Sequence, residues 1–234
     1  NKVATNVPAT GFRYIGSASQ AVPAAATAGS VALAGGTPRP RTGYDARALI
    51  PVCNRNLMAM NGLSSGATQF TSYRSAHWSL KDARVGGLRL VFSNAHLTTS
   101  GEVDGQDDYT VKASVEYNGA LVPVFFNGLR TGTCKIGATL TSDPVGVSIP
   151  ANTKFFVRTF VGVDTAGKKW PVCSTANTTI GEGYHGTNDR TDDVAFQSFL
   201  SASLFQPIAI LGTASVASPS FVLIGSSSGF GQGD

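Results

Sequence analysis

Three serines, Ser226, Ser227 and Ser228, follow four apolar residues in the stretch FVLIGSSSGFGQGD, residues 221–234. A buried strand that ends in a glycine-rich turn exposes a serine hydroxyl together with nearby backbone N–H groups. Acyl transfer uses that pairing, one group as nucleophile and the others to hold an oxyanion. Serine is a weak nucleophile without a base. The chain has three histidines, His77, His96 and His185, and none stands in an Asp-x-x-His sequence. A solvated polar tail accounts for the same serines without any chemistry, and for this chain alone it is the simpler explanation.

Other residue groups offer different chemistry. GEVDGQDD holds Glu102, Asp104, Asp107 and Asp108, and GYHGTNDRTDD holds His185, Asp189, Asp192 and Asp193. Oxygen ligands on glycine-containing loops are what Ca²⁺ needs, though neither loop has the spaced aspartates of an EF-hand. Solvated acidic loops are the better explanation of both runs. Tyr73, His77 and Trp78 cluster in one stretch, and Trp170 lies between Lys169 and Pro171. Exposed aromatic faces stack on sugar rings, whereas core packing is the ordinary use of the same side chains. The lysines beside Trp170 favour exposure there. Trp170, Trp78 and Tyr73 are thus the candidate carbohydrate-stacking residues.

Cys53, Cys134 and Cys173 form no CxxC, which argues against zinc. Cys134 and Cys173 lie in polar stretches and are the preferred disulfide pair, with three reduced thiols as the open alternative. Asn177-Thr178-Thr179 is a glycosylation sequon, meaningful in a eukaryotic secretory setting.

Those residues must be positioned by β-structure. Residues 1–45 are rich in Ala, Gly, Pro and Thr, with no helical stripe. They read as an extended arm with one short strand near Ser30–Leu33. From residue 46 to 213 the texture is that of a sandwich domain. GGLRLVFSN (86–94) puts Leu88, Leu90 and Phe92 on one face, and YTVKASVEY (109–117) does the same for Val111, Ala113, Val115 and Tyr117. Asn118-Gly119 then predicts a two-residue hairpin into ALVPVFFNG (120–128). PVGVSIP (144–150) and KFFVRTFVGV (154–163) predict a second hairpin across Ala151-Asn152-Thr153. PIAILG (207–212) and FVLIG (221–225) read as strands buried on both faces. DDVAFQSFLSASL (192–204) is the one modest helix candidate. RNLMAMNGLSSGATQFTSYRSAHWSL shows no clear period and reads as loops and short strands. The expected fold is mainly β, an antiparallel jelly-roll-like sandwich with an extended N-terminal arm.

Charged residues are 14% of the chain and the net charge is +4. The basic residues are scattered, so a nucleic-acid groove is not expected. No apolar run approaches the roughly 18 residues of a membrane span. Low charge and a Ser/Thr/Asn/Gly surface suit an extracellular or virion protein.

FVLIGSSSGFGQGD resembles the first conserved block of the SGNH, or GDSL, hydrolases, in which a strand ends in Gly-Asp-Ser. Gly225, Ser227 and Gly231 fall at the family's positions, and Ser226 stands where the family has Asp. The resemblance makes Ser227 the nucleophile, with Ser227 and Gly231 at the oxyanion. It also implies that residues 214–234 open a hydrolase domain which continues past Asp234. The wider chain is similar to the β-rich region that precedes the hydrolase domain in some SGNH proteins, through RNLMAMNGLSSGATQFTSYRSAHW, GGLRLVFSN, SIPANTKFFVRTFV and QPIAILG. Gly186-Thr187-Asn188-Asp189 matches the family's Gly-x-Asn-Asp block but precedes the serine turn instead of following it, so it reads as coincidence.

Two functions are therefore expected. The first is a non-catalytic accessory module that binds or positions a polysaccharide or glycan surface for an SGNH-type esterase acting on acylated carbohydrate. The second is a structural protein of a virion or extracellular assembly, a homo-oligomer whose arm laces neighbouring subunits.

Overall fold

A computed structural model of the chain describes residues 30–31, 39–40, 49–54, 60–80, 87–193 and 203–213. The strand signals of the sequence are expressed almost throughout this span. No α-helix occurs among the described residues, and one turn of 3-10 helix covers Thr178–Ile180.

The largest sheet has seven strands. Its centre is three long antiparallel strands: Tyr109–Tyr117, Lys154–Gly162 and Phe70–Ser79, in that order. Ala120–Pro123 and Thr131–Cys134 both pair with Tyr109–Tyr117, while Gly183–Tyr184 and Cys53–Asn54 pair with Phe70–Ser79. A second, four-stranded sheet runs Thr139–Thr141, Arg89–Ser93, Ala209–Gly212, Ile50–Pro51. Alternation sends Val111, Ala113, Val115, Phe155, Val157 and Val161 of the first sheet inward, and Leu90, Phe92 and Ile210 of the second. Phe205 joins the two sets. Its ring stacks on Phe92 at 5.6 Å and meets Tyr109 edge-on at 5.3 Å. Each such fully buried large side chain contributes about 1.5–3 kcal/mol. The result is the mainly β, antiparallel sandwich that the sequence predicts.

The Asn118-Gly119 hairpin forms as expected. Both residues have positive φ, 50° and 77°, and Tyr117 pairs directly with Ala120. Three expectations are corrected. Residues 144–150 are not a strand: only Val145 makes a bridge, to Leu88, and Pro144 and Pro150 lack the N–H that a ladder needs. Lys154–Gly162 pairs instead with Phe70–Ser79 and Tyr109–Tyr117. Ala209–Gly212 is antiparallel and alternates half-buried with buried residues, so it is not buried on both faces. Of the helix candidate 192–204, Asp192 and Asp193 lie in a loop and Ser203–Leu204 is a strand. Residues 194–202 lie outside the described residues.

The chain divides into two compact units. In the N-terminal one, Ser30–Val31 pairs with Arg39–Pro40 in a short antiparallel ladder, where the sequence places a strand. The remaining arm residues, the FVLIG strand and Ser226, Ser227 and Gly231 lie outside the described residues.

Candidate functional site

Opposite the core, the large sheet turns a second face outward, and alternation decides what it carries. Phe70, Ser72, Arg74, Ala76 and Trp78 share that face. So do Lys154, Phe156, Arg158, Phe160 and Gly162, and Lys112, Ser114 and Glu116. In register, Arg74 stands opposite Arg158, and Arg158 opposite Ser114. Two guanidinium groups side by side require an anion, and Glu116 supplies it. Its Oε1 accepts from Arg74 Nη2 at 2.6 Å, and its Oε2 accepts from Arg74 Nε and Arg158 Nε, both at 2.8 Å. Burial alone would raise the Glu116 pKa, but the hydrogen bonds from Arg74 and Arg158 outweigh it and hold the carboxyl below its ordinary value. Arg74 also lies over the Phe156 ring, 3.3 Å from its centroid, and donates to the Gly181 carbonyl.

The segment from Asn177 to Asp193 covers this triad. Its first turn is capped by Asn177, whose Oδ1 accepts from Thr179 N, and ended by Gly181 at φ 90°. The fully buried Glu182 carboxylate accepts from the backbone N–H groups of Ala76 and Asn177, which ties the segment to the sheet. Ser72 Oγ donates to Asn188 O and accepts from Arg190 N. Lys112 Nζ ion-pairs with both Asp189 and Asp192, and Arg130 with Asp192. For Asp189 and Asp192 burial acts to raise the pKa, yet the bond and charge of Lys112, joined by hydrogen bonds from Thr191 at Asp189 and by the charge of Arg130 at Asp192, leave both below the usual aspartate value. Arg158 also donates to the carbonyls of Arg190 and Asp193. The acidic run that reads as a loose loop is thus a fastened strap.

Around the strap the same sheet face carries a row of partly exposed aromatic rings: Trp78, Phe156, Phe160 and Phe70. Phe70 and Phe160 are stacked, with centroids 5.5 Å apart and planes 16° from parallel. Gly162 makes that possible, since a Cβ there would stand 2.1 Å from Phe70 Cδ1. Lys154, exposed, is the cross-strand neighbour of Trp78 and lies 5.4 Å from the Phe156 centroid. Phe156 and Phe160 escape sequence reasoning because KFFVRTFVGV carries large apolar residues on both faces, which hides the outward one, and Phe70 escapes it because its stretch shows no clear period.

The three stacking candidates do not stay together. Trp78 reaches the surface. Trp170 and Tyr73 do not, with relative exposures of 1% and 3%. Trp170 is drawn in by the ladder with Ser64, which donates to its carbonyl and accepts from its N–H, so the lysines beside it stay outside while the indole enters the core. Tyr73 faces inward by alternation and packs against Tyr184 and Phe205. Neither ring can stack on a sugar. The preferred disulfide is also corrected: Cys53, Cys134 and Cys173 are all free thiols, with Cys134 and Cys173 buried. Cys134 donates to Ala138 O instead.

Ser75 and His77 are hydrogen-bonded, Oγ to Nε2 at 2.8 Å, a nucleophile–base contact in form. Both face the core at 0% and 3% exposure, which closes them to any substrate. Among the described residues no group of three or more His, Cys, Asp or Glu is placed to hold a metal ion. Asp108 ion-pairs with Lys135, and Asp107 accepts from Lys169 N. No helix of the described residues is long and apolar enough to cross a membrane. No protein-family model matches the chain, and a search of curated proteins finds no match.

Proposed function

We propose that the sandwich is a non-catalytic module that positions a glycan for an SGNH-type esterase acting on acylated carbohydrate. What supports the glycan half of this reading is one observation: Trp78, Phe156, Phe160 and Phe70 are partly exposed on one face of a sheet whose other face is the core. A water-facing sheet face ordinarily alternates to polar residues. Partly exposed aromatic rings held there by strand backbone offer apolar area at low entropic cost, which is what a pyranose ring needs, although Arg74 takes one face of Phe156 and Phe70 and Phe160 take one face of each other. The esterase half rests on the resemblance of residues 221–234, in which Ser227 attacks the ester and backbone amides hold the oxyanion.

Affinity electrophoresis in gels containing plant, bacterial and fungal polysaccharides tests the glycan half. At least one polysaccharide should retard the protein, and the double substitution Trp78→Ala, Phe160→Ala should abolish the retardation while leaving the melting curve cooperative. Retardation by none of the polysaccharides, or retardation indifferent to both rings, would refute it.

A further inference from the structure

Resting on that reading, the geometry points to the chemical class of the glycan: we infer that Trp78 and Lys154 form a subsite for an acidic sugar, one that carries a carboxylate. The two residues are paired across adjacent strands of the outward face, which places their side chains next to each other. Trp78 is partly exposed and Lys154 exposed. Lys154 differs from three of the other described lysines of the sandwich and shares with Lys169 the lack of a carboxylate partner for its ammonium. Lys112, Lys135 and Lys168 are each held by an aspartate. Lys154 makes no ion pair among the described residues: its Nζ stands 3.5 Å from the carbonyl of Ile180 and 5.4 Å from the Phe156 ring centroid. An ammonium with three donors, one of them engaged by a neutral carbonyl, has capacity left for an anion.

The neighbouring charges support the assignment. The nearest guanidinium in the row, Arg74, is spent on Glu116. The buried Glu182 carboxylate is held by two backbone N–H groups, Ala76 of the sheet and Asn177 of the strap. The indole offers a plane for the sugar ring, and the ammonium of its cross-strand neighbour offers the counter-charge. A neutral hexose would use only the first, and a uronate would use both.

Binding of polygalacturonate, alginate and hyaluronan, each against its carboxyl-esterified form, tests this by isothermal titration at physiological ionic strength. Esterification removes the charge and keeps the ring. At least one acidic form should bind about tenfold more tightly than its ester, the effect of one well-placed charge pair. Lys154→Met should remove the preference and leave binding of the ester unchanged, and Lys154→Arg should keep it. Lys135→Met, which loses the same charge elsewhere, should change nothing. A preference that survives Lys154→Met, or that Lys135→Met abolishes equally, overturns the subsite. Equally tight binding of single-stranded DNA overturns it too, as a generic polyanion surface. Equal binding of acid and ester sinks the acidic-sugar assignment alone, whereas no binding of either form, with no retardation in the gels, sinks the glycan reading as well.

Discussion

Replacing Glu116 by Gln is the sharpest test of what holds the outer face together. The side chain keeps its shape and loses its charge. In the parent, three charge-assisted hydrogen bonds end on this carboxylate, two from Arg74 and one from Arg158. Arg158 is 2% exposed and Glu116 17%, so water can replace little of what is lost. Breaking a buried pair by removing one partner costs about 3–5 kcal/mol, and the residual exposure of Glu116 argues for the lower end. A loss of about 3 kcal/mol would lower the Tm by about 6–12 °C for a domain of this size. Urea unfolding followed by tryptophan fluorescence suits the measurement, because the buried Trp170 reports exposure of the core. A loss under about 1 kcal/mol is what a screened surface pair would give, and it would refute the claim that the triad is shielded.

Acid should release the same face. Glu116, Asp189 and Asp192 are all held below their unfolded values by cationic partners, so the stability they contribute is present above the unfolded pKa values of about 4 and lost as pH falls through the depressed folded values. The urea midpoint should be flat from pH 7 to about pH 5 and fall below about pH 4; a midpoint that rises on acidification would contradict the sign. At the hairpin, Gly119→Val should cost about 1–2 kcal/mol or more, since φ is 77° and nothing else crowds the position, whereas Asn118→Gly should be near neutral. Equal urea midpoints for the two variants would rule this out. Burial pushes the Cys53 thiol up to about 12 and raises that of Cys134. Ellman's reagent at pH 8 should therefore find no fast thiol in the native protein and three after unfolding without reductant. Fewer than three would mean a disulfide.

How far the sequence foretells the structure depends on whether polarity follows backbone period. Tyr109–Tyr117 is legible to the residue because Val111, Ala113 and Val115 alternate with polar neighbours, and Asn118-Gly119 has a local chemical cause. Phe70–Ser79 is as long and as central but illegible. Its inward face is Thr71, Tyr73, Ser75, His77 and Ser79, polar atoms that are buried and hydrogen-bonded where the pattern expects hydrocarbon. Trp170 fails for the opposite reason: its sequence neighbours are charged, yet a strand period separates it from them. The salt-linked strap was legible only as acidic composition, because its partners Lys112, Ser72 and Arg158 come from three strands remote in sequence. The aromatic row has the same origin, and only the pairing of strands makes a surface of it.

The Arg74–Glu116–Arg158 triad also bears on how the sheet finds its alignment. A slip of one residue between Phe70–Ser79 and Lys154–Gly162 would turn core side chains to water, and the hydrophobic effect forbids it. A slip of two residues keeps every side chain on its own face, so apolar patterning barely opposes it. The charges do oppose it: with Arg158 opposite Ser72 or Ala76, a single carboxylate could no longer meet both guanidinium groups, and one would be left covered without a counter-ion. The triad thus works as a proofreading mark for strand alignment, rejecting the one error to which the hydrophobic pattern is blind.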